Sequence, residues 1–315
     1  MLSRRHFLAT PAAALLGVAS LTKKERVNRA LAGQTVDRLP FTLWHHFGLE
    51  KQGPVKFAEA TLNFHRRFDT DLVKVMSDFP YPKPAGAWTN LKVEASPFAV
   101  QVHSLEIISD GLRGSAHFLE TIFNPWTVAE KLSSKEEVMR LKKEQPQKLL
   151  DALEVIAKSE ANHAKLALKA KASGIFLAIA NAQDGILTPD EYKKFSEPFD
   201  RMILKAADGA PLNTLHLHGE TVYISHFLNW PAAAINYGDV ETGFSLAKAR
   251  ASFGGLLLGG TDERNYRAST VVQLKADAAR ARHDAGPKLV FTPGCSVPND
   301  STPDELLRMK AAVGA

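Results

Sequence analysis

Short apolar runs closed by polar or turn-forming residues recur along the chain. They lie at 39–44, 71–76, 117–123, 174–179, 213–218, 232–237, 255–260 and 288–292. Runs of this length, rich in Val, Ile, Leu and Phe, predict strands. Helical spacing with clear start signals fills the intervals. Thr188-Pro189-Asp190-Glu191 and Thr302-Pro303-Asp304-Glu305 each put Thr at a cap, Pro at the first helical position and Glu three residues after the cap. The Thr oxygen takes an orphan amide, and the Glu reaches back to the cap. Ser134 with Glu137 makes a similar box, and the longest helix is predicted over 146–171. An amphipathic helix is predicted over 23–31, ending near Gly33. The segment 82–114 is first Pro-rich, then alternates apolar residues through Val100, Val102, Leu105 and Ile107. It predicts an inserted hairpin or lid.

Strands alternating with helices imply a parallel sheet, and eight such units imply closure into a (β/α)8 TIM barrel over 22–315. A doubly wound open sheet fits less well, because no Gly-rich phosphate loop follows an early strand. With 315 residues, 45% of them hydrophobic, one large domain has ample core. The net charge of +5 includes Arg4 and Arg5, and without those two it falls to +3 with no basic run, so nucleic-acid binding is not indicated. Residues 1–20 read differently. Ser3-Arg4-Arg5-His6-Phe7-Leu8 ahead of an apolar stretch looks like a twin-arginine export signal, with Gly17-Val18-Ala19 as a small-residue cleavage site. The stretch is too short to span a membrane. A periplasmic location is expected, with no membrane attachment after cleavage, and a cytoplasmic one if the signal is not used.

In a barrel of this kind the chemistry sits where strands end. His216 and His218 alternate with Leu215 and Leu217, so on a strand both imidazoles share one face. Cys295, the only cysteine, ends the last predicted strand. Two imidazoles and one thiolate form a zinc set with an open position. Taken singly, each has a plainer reading as a hydrogen-bonded histidine or a small core residue. Asp78 follows the 71–76 strand, where a carboxylate can bind a cationic group or act as acid or base; the alternative is a loop or capping residue. His45 and His46 follow the first strand, one expected to face the mouth and the other the shell, as candidates for substrate contact or proton transfer; the plainer reading is one satisfied core histidine and one exposed. Trp126, Asn181, Gln183, Tyr223 and Tyr237 are candidates to line a small-molecule pocket, although Trp126 reads equally as packing at a helix start.

Several of these segments together resemble one family. Glu25-Arg26-Val27 through Val36-Asp37-Arg38-Leu39-Pro40 is similar to the opening of the uroporphyrinogen decarboxylase superfamily. Phe123-Asn124-Pro125-Trp126 is similar to its central motif, and Gly259-Gly260-Thr261-Asp262 to its Gly-Gly-x-Asp turn. Pro293-Gly294-Cys295-Ser296-Val297-Pro298, with Asp300 and Pro303, resembles its C-terminal motif. The resemblance implies a TIM-barrel enzyme of one of two branches. The haem-pathway decarboxylase grips a polycarboxylate with an arginine-rich segment and binds pyrrole nitrogens with an Asp placed like Asp78. Here that arginine segment is replaced by Trp44-His45-His46-Phe47-Gly48-Leu49, which leaves a polyanion without bidentate partners. The other branch contains corrinoid-dependent methyltransferases such as methylcobamide:coenzyme M methyltransferase. Those bind zinc through a His-x-Cys and a later Cys, and activate a thiol. His216 and Cys295 stand at similar positions, with His218 where the first Cys would be.

The expectation is therefore a zinc enzyme closer to the methyltransferase branch, with zinc on His216, His218 and Cys295 and a corrinoid or corrinoid protein as methyl donor. A metal-free decarboxylase working through Asp78 on a porphyrinogen is the first alternative. Export weighs against it, since that substrate is made in the cytoplasm. A non-catalytic protein that binds a tetrapyrrole or a metal is the second.

Overall fold

The computed structural model describes residues 20–314, so nearly all of the expected export segment lies outside the described residues. Thr22 caps α1 (Lys23–Leu31) through a reciprocal box with Glu25. After α2 (Gly53–Phe68) come seven strands: β1 (Leu72–Val75), β2 (His117–Phe123), β3 (Ile175–Ile179), β4 (Thr214–Leu217), β5 (Ala234–Tyr237), β6 (Leu256–Thr261) and β7 (Leu289–Pro293). All neighbours are parallel and pair in chain order, a curled TIM-barrel-like sheet. Helices cross between them: α3 (Ala99–Leu112) after β1, then α4 (Pro125–Leu132), α5 (Lys135–Glu144) and α6 (Pro146–Lys169) after β2. The later crossovers are α7 (Pro189–Phe195) with α8 (Glu197–Ala206), α9 (Ile224–Phe227), α10 (Leu246–Arg250) and α11 (Val271–Ala285), and α12 (Pro303–Ala311) follows β7. The boxes at Thr188 and Thr302 form as their spacing predicts.

Two expectations are corrected. Among the described residues there are seven strands, not eight. The run 39–44 makes a single parallel bridge, Phe41 to Phe291. Pro40 has no N–H to donate, so a regular ladder cannot start there. The run still touches both sheet edges. Thr42 donates its N–H to the Phe291 carbonyl and Phe291 to that of Pro40, while Asp71 donates to the Phe41 carbonyl. The second correction concerns the insertion. Its alternating half is not a hairpin but the helix α3, whose buried residues Gln101, Ser104, Leu105, Ile108 and Leu112 follow the helical period.

The period-2 rule sorts the strand residues. Leu215 and Leu217 belong to the hydrophobic cluster that includes Ile156 and Ile203 of α6 and α8. On the concave face lie Trp44, Phe176 and His216, with Trp44 edge-on to Phe176 at 5.4 Å and Phe176 stacked on His216 at 5.0 Å.

Candidate active site

Three residues from two strand ends meet at the mouth of the concave face. His216 lies on β4, His218 one residue beyond its end, and Cys295 two residues after β7. Gly294 makes the approach of that last loop possible, because a Cβ there would meet the Gly238 Cα at 2.3 Å. The ligand-capable atoms of the three residues all lie within 4.8 Å of one another. Cys295 Sγ is 3.7 Å from His216 Nε2. His216 is buried, Cys295 half-buried and His218 exposed.

The tautomer of His216 follows from its neighbour. The Asn236 amide nitrogen donates to the carbonyls of Leu258 at 3.0 Å and Pro293 at 3.2 Å. Its oxygen must then face His216 Nδ1, 2.6 Å away, so Nδ1 carries the proton and donates it. Nε2 is left as the lone pair beside Cys295. Metal-ligating histidines are held in the same way. Burial by itself would raise the Cys295 thiol, but hydrogen bonding and charge from His216 and His218 outweigh it and hold the thiol well below its usual range. The same bond to Cys295 raises His218. This donor set, with its fixed tautomer, fits zinc.

Asp78 follows β1 and is only 7% exposed at its side chain. His46 Nδ1 contacts one carboxylate oxygen at 2.5 Å, while the other is buried without a partner. It borders a cavity of about 200 Å³ lined also by Tyr81, Phe98, Phe123, Lys131 and Glu160. The Tyr81 hydroxyl and one Glu160 oxygen are likewise buried and unpartnered. Burial, then repulsion from Glu120, pushes the Glu160 carboxyl well up. His45 takes the shell role. Its Nδ1 sits 2.8 Å from the His46 carbonyl, and its ring packs on Phe47 and Phe64.

The remaining candidates divide. Gln183 lies beside the site, its amide donating to the Ala180 and His218 carbonyls. The Tyr223 hydroxyl donates to Asp184 at 2.7 Å, which ties two loops at the mouth. Asn181 accepts from Asn124 in a buried network with Ser196 and Asp200. Two expectations fail. Trp126 is fully buried in the helical shell, its ring N–H held by Glu130, because the cap at Asn124 turns α4 and its side chains away from the mouth. Tyr237 packs with the shell too, against Phe244. Its neighbour Asn236 takes the concave position, as alternation along a strand requires. Sequence reasoning missed Asn236 and also Lys74, whose signal was a lysine inside an apolar strand. It missed Glu263 as well. That buried residue accepts the Gly294 N–H at 3.1 Å, and burial pushes it up to about 7.

Fold and site together define an enzyme built on a TIM-barrel-like sheet with a His/His/Cys cluster at the strand ends. The family model described as uroporphyrinogen decarboxylase (URO-D) matches residues 87–315. The chain belongs to the uroporphyrinogen decarboxylase family. Among solved structures it is similar to a methyltransferase from Methanosarcina mazei, at 18% identity and TM-score 0.78, covering 92% of this chain and 98% of that one. It is also similar to a B12-independent methionine synthase from Shewanella sp. W3-18-1, at 13% identity and TM-score 0.59, covering 87% and 91%. No curated protein matches the chain.

Proposed function

We propose that this chain is a zinc-dependent, methyltransferase-like enzyme that prepares a thiol on a small molecule to accept a methyl group, with a corrinoid or corrinoid protein as donor. One observation carries the reading: the ligand atoms of His216, His218 and Cys295 converge within 4.8 Å at the strand ends. The likeness to a methyltransferase and a methionine synthase supplies the fold, and the donor set supplies the chemistry. His216, His218 and Cys295 would hold zinc, which would acidify a thiol or water bound to it.

The chain's own residues do the rest. Asn236 holds the His216 ring so that Nε2 is free to ligate. His218, at the exposed rim, leaves access from solvent. Phe176 covers one face of the His216 ring and keeps water from it. Two imidazoles and one thiolate leave a site of net positive charge, more acidifying than one with two thiolates. The buried Glu263 carboxyl, which accepts the N–H of Gly294 beside Cys295, is the proposed base for the thiol proton.

The test is demethylation of a methylated corrinoid by zinc-loaded protein with a panel of small thiols. Thiol-dependent loss of the methyl group supports the reading, and its absence with every thiol counts against it. A second reading rests on the unpartnered Asp78 oxygen facing its cavity. A carboxylate so placed suits a substrate N–H, and would make the chain a metal-free decarboxylase. Against it, the lining offers Lys83 and Lys131 but no arginine to grip a polycarboxylate. Coproporphyrinogen formation from uroporphyrinogen by the purified protein would establish this second reading. We further propose that Arg4 and Arg5 direct export.

A further inference from the structure

Lys74 is the least satisfied cation on the concave face. It stands on β1 between Val73 and Val75, both packed in the core, and is itself buried. Among the described residues the one hydrogen-bond partner of its Nζ is the Met76 thioether, at 2.9 Å. A thioether is a weak acceptor, and an ammonium has three protons to place. The nitrogen lies 5.1 Å from the Phe176 ring centroid and 5.7 Å from that of Trp44. Two aromatic faces offset part of the lost hydration, but not the charge. Neither carboxylate that acts on it electrostatically hydrogen-bonds it, although one Asp78 oxygen is without a partner. Asp78 bonds His46, and Glu120 bonds Gln101 and His163. An unpaired buried cation is costly, and an apolar side chain of similar volume would cost less.

The place of this cation is telling. Phe176 stacks on His216, which contacts Cys295. The Trp44 carbonyl accepts the N–H of Val297, two residues past Cys295. Cys295 and Asp78 are the groups whose negative charge acts most strongly on the lysine. Lys74 therefore lies on the concave face, packed on the two aromatic rings that lead to the His/His/Cys cluster.

We infer that the Lys74 ammonium anchors a carboxylate group of the small molecule that reacts at Cys295's end of the concave face. This deepens the proposed function by naming an acidic substrate, and it rests on that function only in taking this mouth as the reacting site. The carboxylate completes the coordination that Met76 cannot supply, and in doing so it orients the reacting group toward the cluster. Lys74 is thus a specificity-determining residue. Burial brings its ammonium down to about 8, so near neutrality most molecules carry the charge.

The single cysteine allows a test without metal. Cys295 in the full chain, with a chelator present, is alkylated in parallel by iodoacetate and iodoacetamide. Both reagents meet the same thiol, so the ratio of their rates cancels any change in its reactivity and reports only the pull on a carboxylate. Lys74→Met should lower the iodoacetate-to-iodoacetamide ratio on the order of tenfold, while Lys74→Arg keeps it within about threefold of wild type. The unfolding midpoint of Lys74→Met should not fall, because an unpaired buried cation is removed. An unchanged ratio in Lys74→Met, or a clear loss of stability, overturns the inference. If that variant does not fold, wild-type protein decides. Acetate should protect Cys295 from iodoacetamide saturably, and acetamide should not; equal protection by both overturns the inference. No metal enters either measurement, so zinc binding and carboxylate anchoring can fail separately.

Discussion

The two ends of the sheet treat buried charge in opposite ways. At the N-terminal ends of the strands, Asp71 is fully buried and completely paired. One oxygen takes Arg26 at 2.6 Å and Arg38 at 3.1 Å, and the other takes Arg38 at 2.6 Å and the Phe41 N–H at 2.9 Å. Arg26 goes on to grip Asp37 with two further bonds. His117, at the start of β2, has Ser173 on one ring nitrogen and Asn28 on the other, both at 2.7 Å. At the C-terminal ends, Lys74 has a thioether, Asp78 has an empty oxygen, and Cys295 faces two imidazoles. Buried groups with their partners in place hold a fold together, and buried groups without them await a ligand. The same sheet thus separates stability from chemistry, as TIM-barrel-like enzymes do.

The largest effect should come from breaking the paired end. Asp71→Ala leaves the buried Arg26 and half-buried Arg38 guanidinium groups without their shared carboxylate, and should cost about 3–5 kcal/mol in urea unfolding. Zinc content per folded molecule should not change. A loss below 1 kcal/mol would show that the two ends are not so different. The next effect is a pH dependence located at the same end. Burial, then repulsion from Lys24, holds His117 at about 4, against 6.5 for an ordinary histidine. Between those values the unfolded chain binds a proton that the folded chain refuses, so stability falls as pH drops from 6.5 to 4. The loss from this residue reaches about 3 kcal/mol. Comparing unfolding midpoints at both pH values, His117→Gln should show a smaller drop than wild type, and an equal drop would contradict the assignment.

At the open end, Asn236→Ala should act on the metal rather than the fold. Freed of its acceptor, the His216 ring loses its fixed tautomer, and zinc affinity should fall about 10–100-fold in competition with a chromophoric chelator. Unaltered affinity would make Asn236 a mere core amide. The smallest change is expected in the shell. Trp126→Phe removes the bond to Glu130 and should cost about 1 kcal/mol, with zinc binding intact. A loss of zinc in this variant would return Trp126 to the site.

Much of this was legible in the chain. The β4 alternation placed His216 and His218 on one face because the strand period is 2, independent of tertiary detail. The capping boxes at Thr188 and Thr302 are local and formed as spelled. Other features depend on partners distant in sequence. The run at 39–44 has the composition of a strand, but its pairing is limited by Pro40 and by two edges separated by most of the chain. In α3 the alternating apolar residues mislead, since the face it buries also carries Gln101 and Ser104, whose burial only the fold reveals. Asn236 and Tyr237 are neighbours of similar polarity in a short strand, and choosing between them needs the register with β4. Lys74 was visible all along as a charge in an apolar run, at a position alternate with Leu72 and Met76.

His216, His218 and Cys295 are proposed to form a metal site separable from the fold. Its most direct test is elemental analysis beside circular dichroism, on protein purified without an affinity tag, for wild type and for His216→Ala, His218→Ala and Cys295→Ser. About one zinc per chain is expected in wild type, with a sharp loss in each variant and unchanged dichroism throughout. A wild-type protein that never holds zinc, or variants that hold as much as wild type, would contradict it and move the chemistry to Asp78.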